Sequence, residues 1–221
     1  MQDLKKHEQF ELEILERLNS GRFLRNLVFG GGTMLRLCHG LGRYSVDLDF
    51  WVIKDIEPKE YFQKLKTYLA ESYTITDAAN KFHTILLELK SPAYPRALKI
   101  EIRKELRKIE TESAIAFSSE SNIQVLLRVV ALREMMKAKI EAFLSRREIR
   151  DVFDMEFILK KGIAVIAPVD ELKALIRGIE ELQKNDYAVK LGSLLDPGQR
   201  KYYQEKNFSI LIRHIQDQLT G

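Results

Sequence analysis

The stretch FGGGTMLRLCHGLGRYSVDLDF, from Phe29 to Phe50, decides the fold. Leu27–Gly31 reads as a short strand broken by glycine. Thr33 is placed to cap a following helix that holds Met34, Leu35, Leu37 and Cys38 and ends near Gly40–Gly42. Val46–Ile53 alternates and is rich in β-formers, so it reads as a second strand. A strand that ends in glycines and leads into a helix start is an arrangement that cradles phosphate. Glycine lets the backbone approach an anion, the first helical amides point at it, and Thr33 adds a hydroxyl donor. A plain structural turn would look the same. Asp47 and Asp49 stand at i and i+2, so on a strand they leave the same face while Leu48 and Phe50 turn to the core. Two carboxylates so close repel each other. Together they suit a hard divalent cation, Mg2+ or Mn2+, which can activate an attacking oxygen and stabilise a leaving pyrophosphate. The alternative is an edge strand with an acidic outer face, although Asp is disfavoured in mid-strand.

Around this stretch the pattern continues as a mixed α/β (α+β) arrangement. Residues 2–19 are amphipathic and helical. Pro58 starts a helix to about Ser72. Tyr73–Thr76, His83–Lys90, Ala97–Lys104 and Asn122–Val130 read as strands, which gives a sheet with a mixed or antiparallel part. From Leu132 the chain turns helical: LREMMKAKIEAFLSRR, EIRDVFDMEFILKK, VDELKALIRGIEELQKN and a last helix near FSILIRHIQDQL. Gly162, Pro168 and Asp196-Pro197-Gly198 read as turns. The reading divides the chain into a sheet domain with its N-terminal helix, 1–125, and a helical domain, 126–221. Glu101 in LKIEIRK is the candidate third carboxylate. It shares a face with Lys99 and Arg103, and pairing with those bases is the equal alternative.

Composition narrows the class. The single cysteine, Cys38, excludes an intrachain disulfide. The four histidines show no zinc-like spacing. No apolar run reaches the length of a membrane span and the charged N-terminus holds no signal-peptide core, so a cytoplasmic protein with no membrane partner is expected. The net charge of +4 and pI near 9.0 suit a polyanion such as RNA, and equally an ordinary basic protein.

The combination GGT-x-L-R followed by R-x-S-x-DLDF resembles the nucleotidyltransferases of the DNA-polymerase-β-like superfamily. Within it, AKIEAFLSRREIRDVFD (Ala138–Asp154) is similar to the second motif of the AbiEii/AbiGii-type toxins, a Lys-x-x-Ala, a downstream Arg and an Arg-Asp-x-x-Asp. The resemblance covers roughly residues 25–160. It implies a nucleotidyltransferase-fold sheet domain whose helical partner domain contributes to the active-site cleft. It implies an enzyme, the toxin of a toxin–antitoxin or abortive-infection system, that moves a nucleotidyl group from a nucleoside triphosphate to RNA, typically a tRNA 3′ end. By the same resemblance Gly31, Gly32 and Thr33 hold the nucleotide phosphates, Arg43 and Ser45 lead into the acidic pair, and Asp47 and Asp49 bind Mg2+ or Mn2+. Lys139 touches the triphosphate, Asp151 assists catalysis, and Asp154 is a further motif position. Glu101 departs from the aspartate often found as third ligand. The implied partner is a cognate antitoxin of winged-helix regulator type. A small-molecule or protein hydroxyl as acceptor, or a non-catalytic nucleotide- or partner-binding role, is the competing reading. As a plain surface helix the second block would instead form i, i+4 pairs, Arg147–Asp151 and Arg150–Asp154.

Overall fold

The computed structural model describes residues 2–220, and the chain divides into two units. The first contains the residues up to Gly40 together with Tyr44–Val130. Its elements are α1 (Gln2–Ser20), β1 (Leu27–Gly30), α2 (Gly31–His39), β2 (Asp47–Val52), α3 (Pro58–Ala70), β3 (Thr74–Asn80), β4 (Thr84–Lys90), β5 (Leu98–Leu106), β6 (Thr111–Ala116) and β7 (Val125–Val130). The seven strands form one mixed sheet in the order β3-β4-β5-β2-β1-β7-β6. β2/β5 and β1/β7 pair in parallel and the other neighbours antiparallel. The alternation read in the sequence is the burial pattern found. Leu48 and Phe50 of β2, Ile85, Leu87 and Leu89 of β4, and Ile100 and Ile102 of β5 are buried. α1 adds Phe10, Leu12, Ile14, Leu15 and Leu18 to this core and packs on β5 and β7. α2 ends on Gly40, whose φ of 80° makes the left-handed C-cap that glycine adopts without strain.

The second unit takes Leu41–Arg43 and the chain from Ala131 onward. It contains α4 (Leu132–Arg146), α5 (Ile149–Lys160), α6 (Val169–Glu180), α7 (Pro197–Lys206) and α8 (Ser209–Thr220), with a π-helical turn at Asp186–Leu191. The division thus falls after β7 and not at residue 125, and it assigns three residues of the α2–β2 loop to the helical unit. Phe143, Val152, Met155, Ile158, Leu175, Leu191, Phe208, Leu211 and Ile215 fill this second core.

Three sequence expectations need correcting. Thr33 does not cap α2: the helix already begins at Gly31, with Gly30 at the N-cap. β6 was not foreseen, because TESAIA is an edge strand with little to bury. Asp196-Pro197-Gly198 is a helix start. The Asp196 carboxylate accepts the Gln199 amide at 2.9 Å, and Pro197 occupies the first turn.

Candidate active site

β2 is the strand that carries both aspartates. Asp47 and Asp49 are half-buried on one of its faces, between the buried Leu48 and Phe50. Antiparallel pairing with β1 sets Asp49 opposite Gly30, so the glycine turn lies directly beside it. Gly31 has φ 76°, and a Cβ there would overlap the Asp49 carboxylate. Glycine is therefore required twice over, by the backbone angle and by the carboxylate that fills the space. The N-terminus of α2, with no side chain capping it, begins at this glycine. Its amides and its dipole favour a negative charge.

Thr33 is fully buried, and its hydroxyl donates to the Asp47 carbonyl at 2.6 Å. The expected phosphate donor is thus spent on the strand that carries the acids. Ser45 is half-buried in the loop before β2. On the other side of β2, the parallel register sets Lys99 beside Asp47 and Glu101 beside Asp49. Lys99 donates to Glu101 at 3.1 Å. Burial works to lower the Lys99 pKa, but Glu101, and after it Asp47 and Asp49, outweigh burial and raise it. Among the described residues no three His, Cys, Asp or Glu side chains are gathered as a metal cage. Glu101 is held by Lys99.

The second motif forms a chain of charges within the helical unit. Asp154 is fully buried, and Arg43 forks onto it with two bonds of 2.7 and 2.6 Å. Lys139, itself only 7% exposed, lies 2.7 Å from Asp154 and 3.3 Å from Asp151. Arg146 forks onto the buried Asp151 at 2.8 and 2.7 Å. Burial alone would raise the Asp154 pKa, yet Arg43 and Lys139 hold its carboxyl below the ordinary value. The i, i+4 pairs that the spacing allows do not form. Arg147, in the left-handed conformation at the end of α4, instead donates to the Ala174 carbonyl at 3.1 Å.

A family model described as "Nucleotidyl transferase AbiEii toxin, Type IV TA system" matches residues 13–205. The chain belongs to that family. It is a nucleotidyltransferase toxin of a type IV toxin–antitoxin system, which implies a nucleoside triphosphate as substrate and a cognate antitoxin. Comparison with curated protein sequences found no match. Among solved structures the chain is similar to JHP933 from Helicobacter pylori, at 20% identity and a TM-score of 0.52, covering 92% of this chain and 94% of that one. It is also similar to MenT4, the nucleotidyltransferase toxin Rv2826c from Mycobacterium tuberculosis H37Rv. That match has 16% identity and a TM-score of 0.57, and covers 95% of this chain and 85% of the other. At these identities the likeness is one of fold. Among the described residues no helix is long and apolar enough to cross a membrane.

For this AbiEii-family chain, sequence reasoning missed the polar side of α1. His7, Glu8 and Glu11 are buried on a helix whose pattern promised only apolar contacts. Glu8 accepts from Arg36 of α2 and from Ser118 at 2.8 Å. His7 bonds the Val46 carbonyl at 2.9 Å. Their one signal was position: all three fall among the apolar residues of the helix and not on its charged face. Tyr203 of the helical unit is likewise buried, and its hydroxyl donates to Glu156 at 2.9 Å.

Proposed function

We propose that this enzyme transfers a nucleotidyl group from a nucleoside triphosphate to an RNA acceptor, the 3′ end of a tRNA, with Asp47 and Asp49 as its metal-binding pair. The observation that carries the reading is the packing of the Asp49 carboxylate into the space that Gly31 leaves open, at the start of α2. The two aspartates are hard oxygen donors on one strand face, a set that fits a divalent cation of the Mg2+ or Mn2+ class. When bound, such a cation would neutralise phosphate charge and stabilise the leaving pyrophosphate. Gly31 and Gly32, without side chains, let the triphosphate approach the α2 amides. The acceptor hydroxyl bonds the α-phosphorus as the bond to pyrophosphate breaks, and its proton leaves to water. Most of the work is positioning and charge neutralisation.

In this reading Lys139 supplies positive charge to the triphosphate, for which an arriving phosphate competes with Asp151 and Asp154. Asp151 acts by holding Lys139 and Arg146. Arg43 and Ser45 carry the lead-in to the acidic pair, Arg43 through its fork onto Asp154. Glu101 restrains Lys99. The basic chain, net +4, supports a polyanionic acceptor. Nucleoside triphosphates and tRNA are cytoplasmic, and by this reading so is the enzyme. The implied antitoxin, in this reading, is of winged-helix regulator type.

The test is label transfer from each α-labelled nucleoside triphosphate, with Mg2+ or Mn2+ and total tRNA, and with Asp49→Ala in parallel. Label on tRNA that falls about a hundredfold or more in the variant is expected. Metal-dependent nucleotide binding without labelled tRNA would move the acceptor to a small molecule or a protein hydroxyl. No metal-dependent binding at all would remove the acidic pair from the mechanism.

A further inference from the structure

Two hydroxyl or imidazole donors, from two different helices, grip consecutive carbonyls at the head of β2. Thr33 of α2 takes the Asp47 carbonyl at 2.6 Å, and His7 of α1 takes the Val46 carbonyl at 2.9 Å. A carbonyl only accepts, so the His7 Nε2 carries the proton and donates it. The imidazole is 1% exposed, and burial pushes its pKa down, the bond to Val46 opposing. It is therefore the neutral ring that makes this bond.

The surroundings of His7 are costly. Glu11 is fully buried one turn further along α1, with Oε1 3.5 Å from the His7 Nε2. Neither Glu11 oxygen, nor the His7 Nδ1, has a hydrogen-bond partner among the described residues. Burial, and after it Glu8, raise the Glu11 pKa well above the carboxylate range. A core built for stability alone would place apolar side chains at both positions. A buried polar group kept at such cost is a candidate for a positional role, and here the group it touches is the backbone one residue before the first acid. α1 is also held in place to do this: Glu8 ties it to Arg36 and to Ser118, and Lys5 donates to Glu120 at 2.8 Å.

We infer that His7 is a positioning residue of the active site, which fixes the backbone at Val46 so that Asp47 leaves β2 at the angle a divalent cation requires. α1 then belongs to the catalytic apparatus, although His7 and Glu11 lie outside the span that the family model matches. The inference rests on the proposed metal role of Asp47. Groups that orient a metal ligand from behind typically change affinity by about 10- to 100-fold when lost.

The experiment is titration of the full chain with Mn2+ alone, read from the free-ion paramagnetic signal, with a melting curve for each variant. His7→Met keeps the volume and removes the donor. His7→Gln keeps an N–H at nearly the same reach. The expected result is Mn2+ affinity about tenfold weaker in His7→Met and restored in His7→Gln, out of proportion to any change in melting temperature. Equal affinity in all three proteins would overturn the inference. So would an equal loss in both variants, or a loss that tracks melting temperature across them, since either is what a purely structural histidine gives. If His7→Met does not fold, His7→Asn, polar but one carbon shorter, replaces it with the same expectation. A wild-type chain that binds no Mn2+ overturns the metal reading itself and this inference with it, an outcome distinct from intact binding that ignores His7.

Discussion

At the scale of single residues, two positions would set how well the proposed metal-binding pair serves a cation. Gly31 is the first. An alanine there would need a left-handed backbone and would press its Cβ into the Asp49 carboxylate. Gly31→Ala should therefore lose about 1–2 kcal/mol of stability from the backbone alone. It should also weaken Mn2+ binding, because Asp49 has to move. Denaturant melts and the same Mn2+ titration check both parts. Lys99 is the second. Its ammonium is held charged by Glu101, Asp47 and Asp49, and so competes for the negative charge a cation would use. Lys99→Met should tighten Mn2+ binding severalfold and release Glu101 from its partner. Unchanged or weaker binding in that variant would mean that Lys99 supports the acids and does not compete with them. Thr33 and Glu101 show why residue roles were only half legible. Their positions on the strand and the helix could be read from spacing. Which partner each side chain takes depends on neighbours from other elements, and those neighbours are far away in sequence.

Elements differ in how much of themselves they reveal. β2, β4 and β5 could be read directly because alternating burial stamps a period of two on the sequence. β6 could not, since TESAIA lies at the sheet edge and has few residues to bury. α7 was hidden by Gly198, which made a helix start look like a turn, although Asp-Pro is also the chemistry of an N-cap and first turn. The α4–α5 pair could be read as two helices, yet spacing suggested the wrong ion pairs. Asp151 and Asp154 face inward on α5 and are met by Arg43, Lys139 and Arg146, not by the arginines one turn before them. That arrangement makes a testable claim about the element. Asp154→Asn leaves Arg43 and Lys139 buried against a neutral group and should cost about 3 kcal/mol at neutral pH. The Asp154 pKa is lowered on folding, so its contribution is complete above the ordinary carboxylate value of about 3.9 and is lost as the pH falls through the lower folded value. The stability gap between wild type and variant should thus be full at pH 7 and close only in strong acid. A gap that stayed constant into acid would mean that the charge of Asp154 contributes nothing.

For the molecule as a whole, family and fold agree over nearly the entire chain, while the substrate is a matter of chemistry at one strand and one helix start. The glycine turn and the paired acids lie close together in sequence, so the stretch from Phe29 to Phe50 held the main signal. The support from α1 lies elsewhere in the chain and left no motif. Linkage offers a test at this scale that needs no acceptor. A ligand that binds only the folded chain stabilises it by about 2.7 kcal/mol at a hundred times its dissociation constant. For a chain of this length each kcal/mol moves the melting temperature by about 2–4 °C, so a preferred nucleotide with Mg2+ should raise it by roughly 5–10 °C. Chelating the metal should remove the gain. Asp47→Asn and Asp49→Asn should melt near the ligand-free wild type but show no gain with metal and nucleotide. A nucleotide shift that survives chelation and both substitutions would mean that the triphosphate binds without the acidic pair, and the proposed chemistry at β2 would have to be given up.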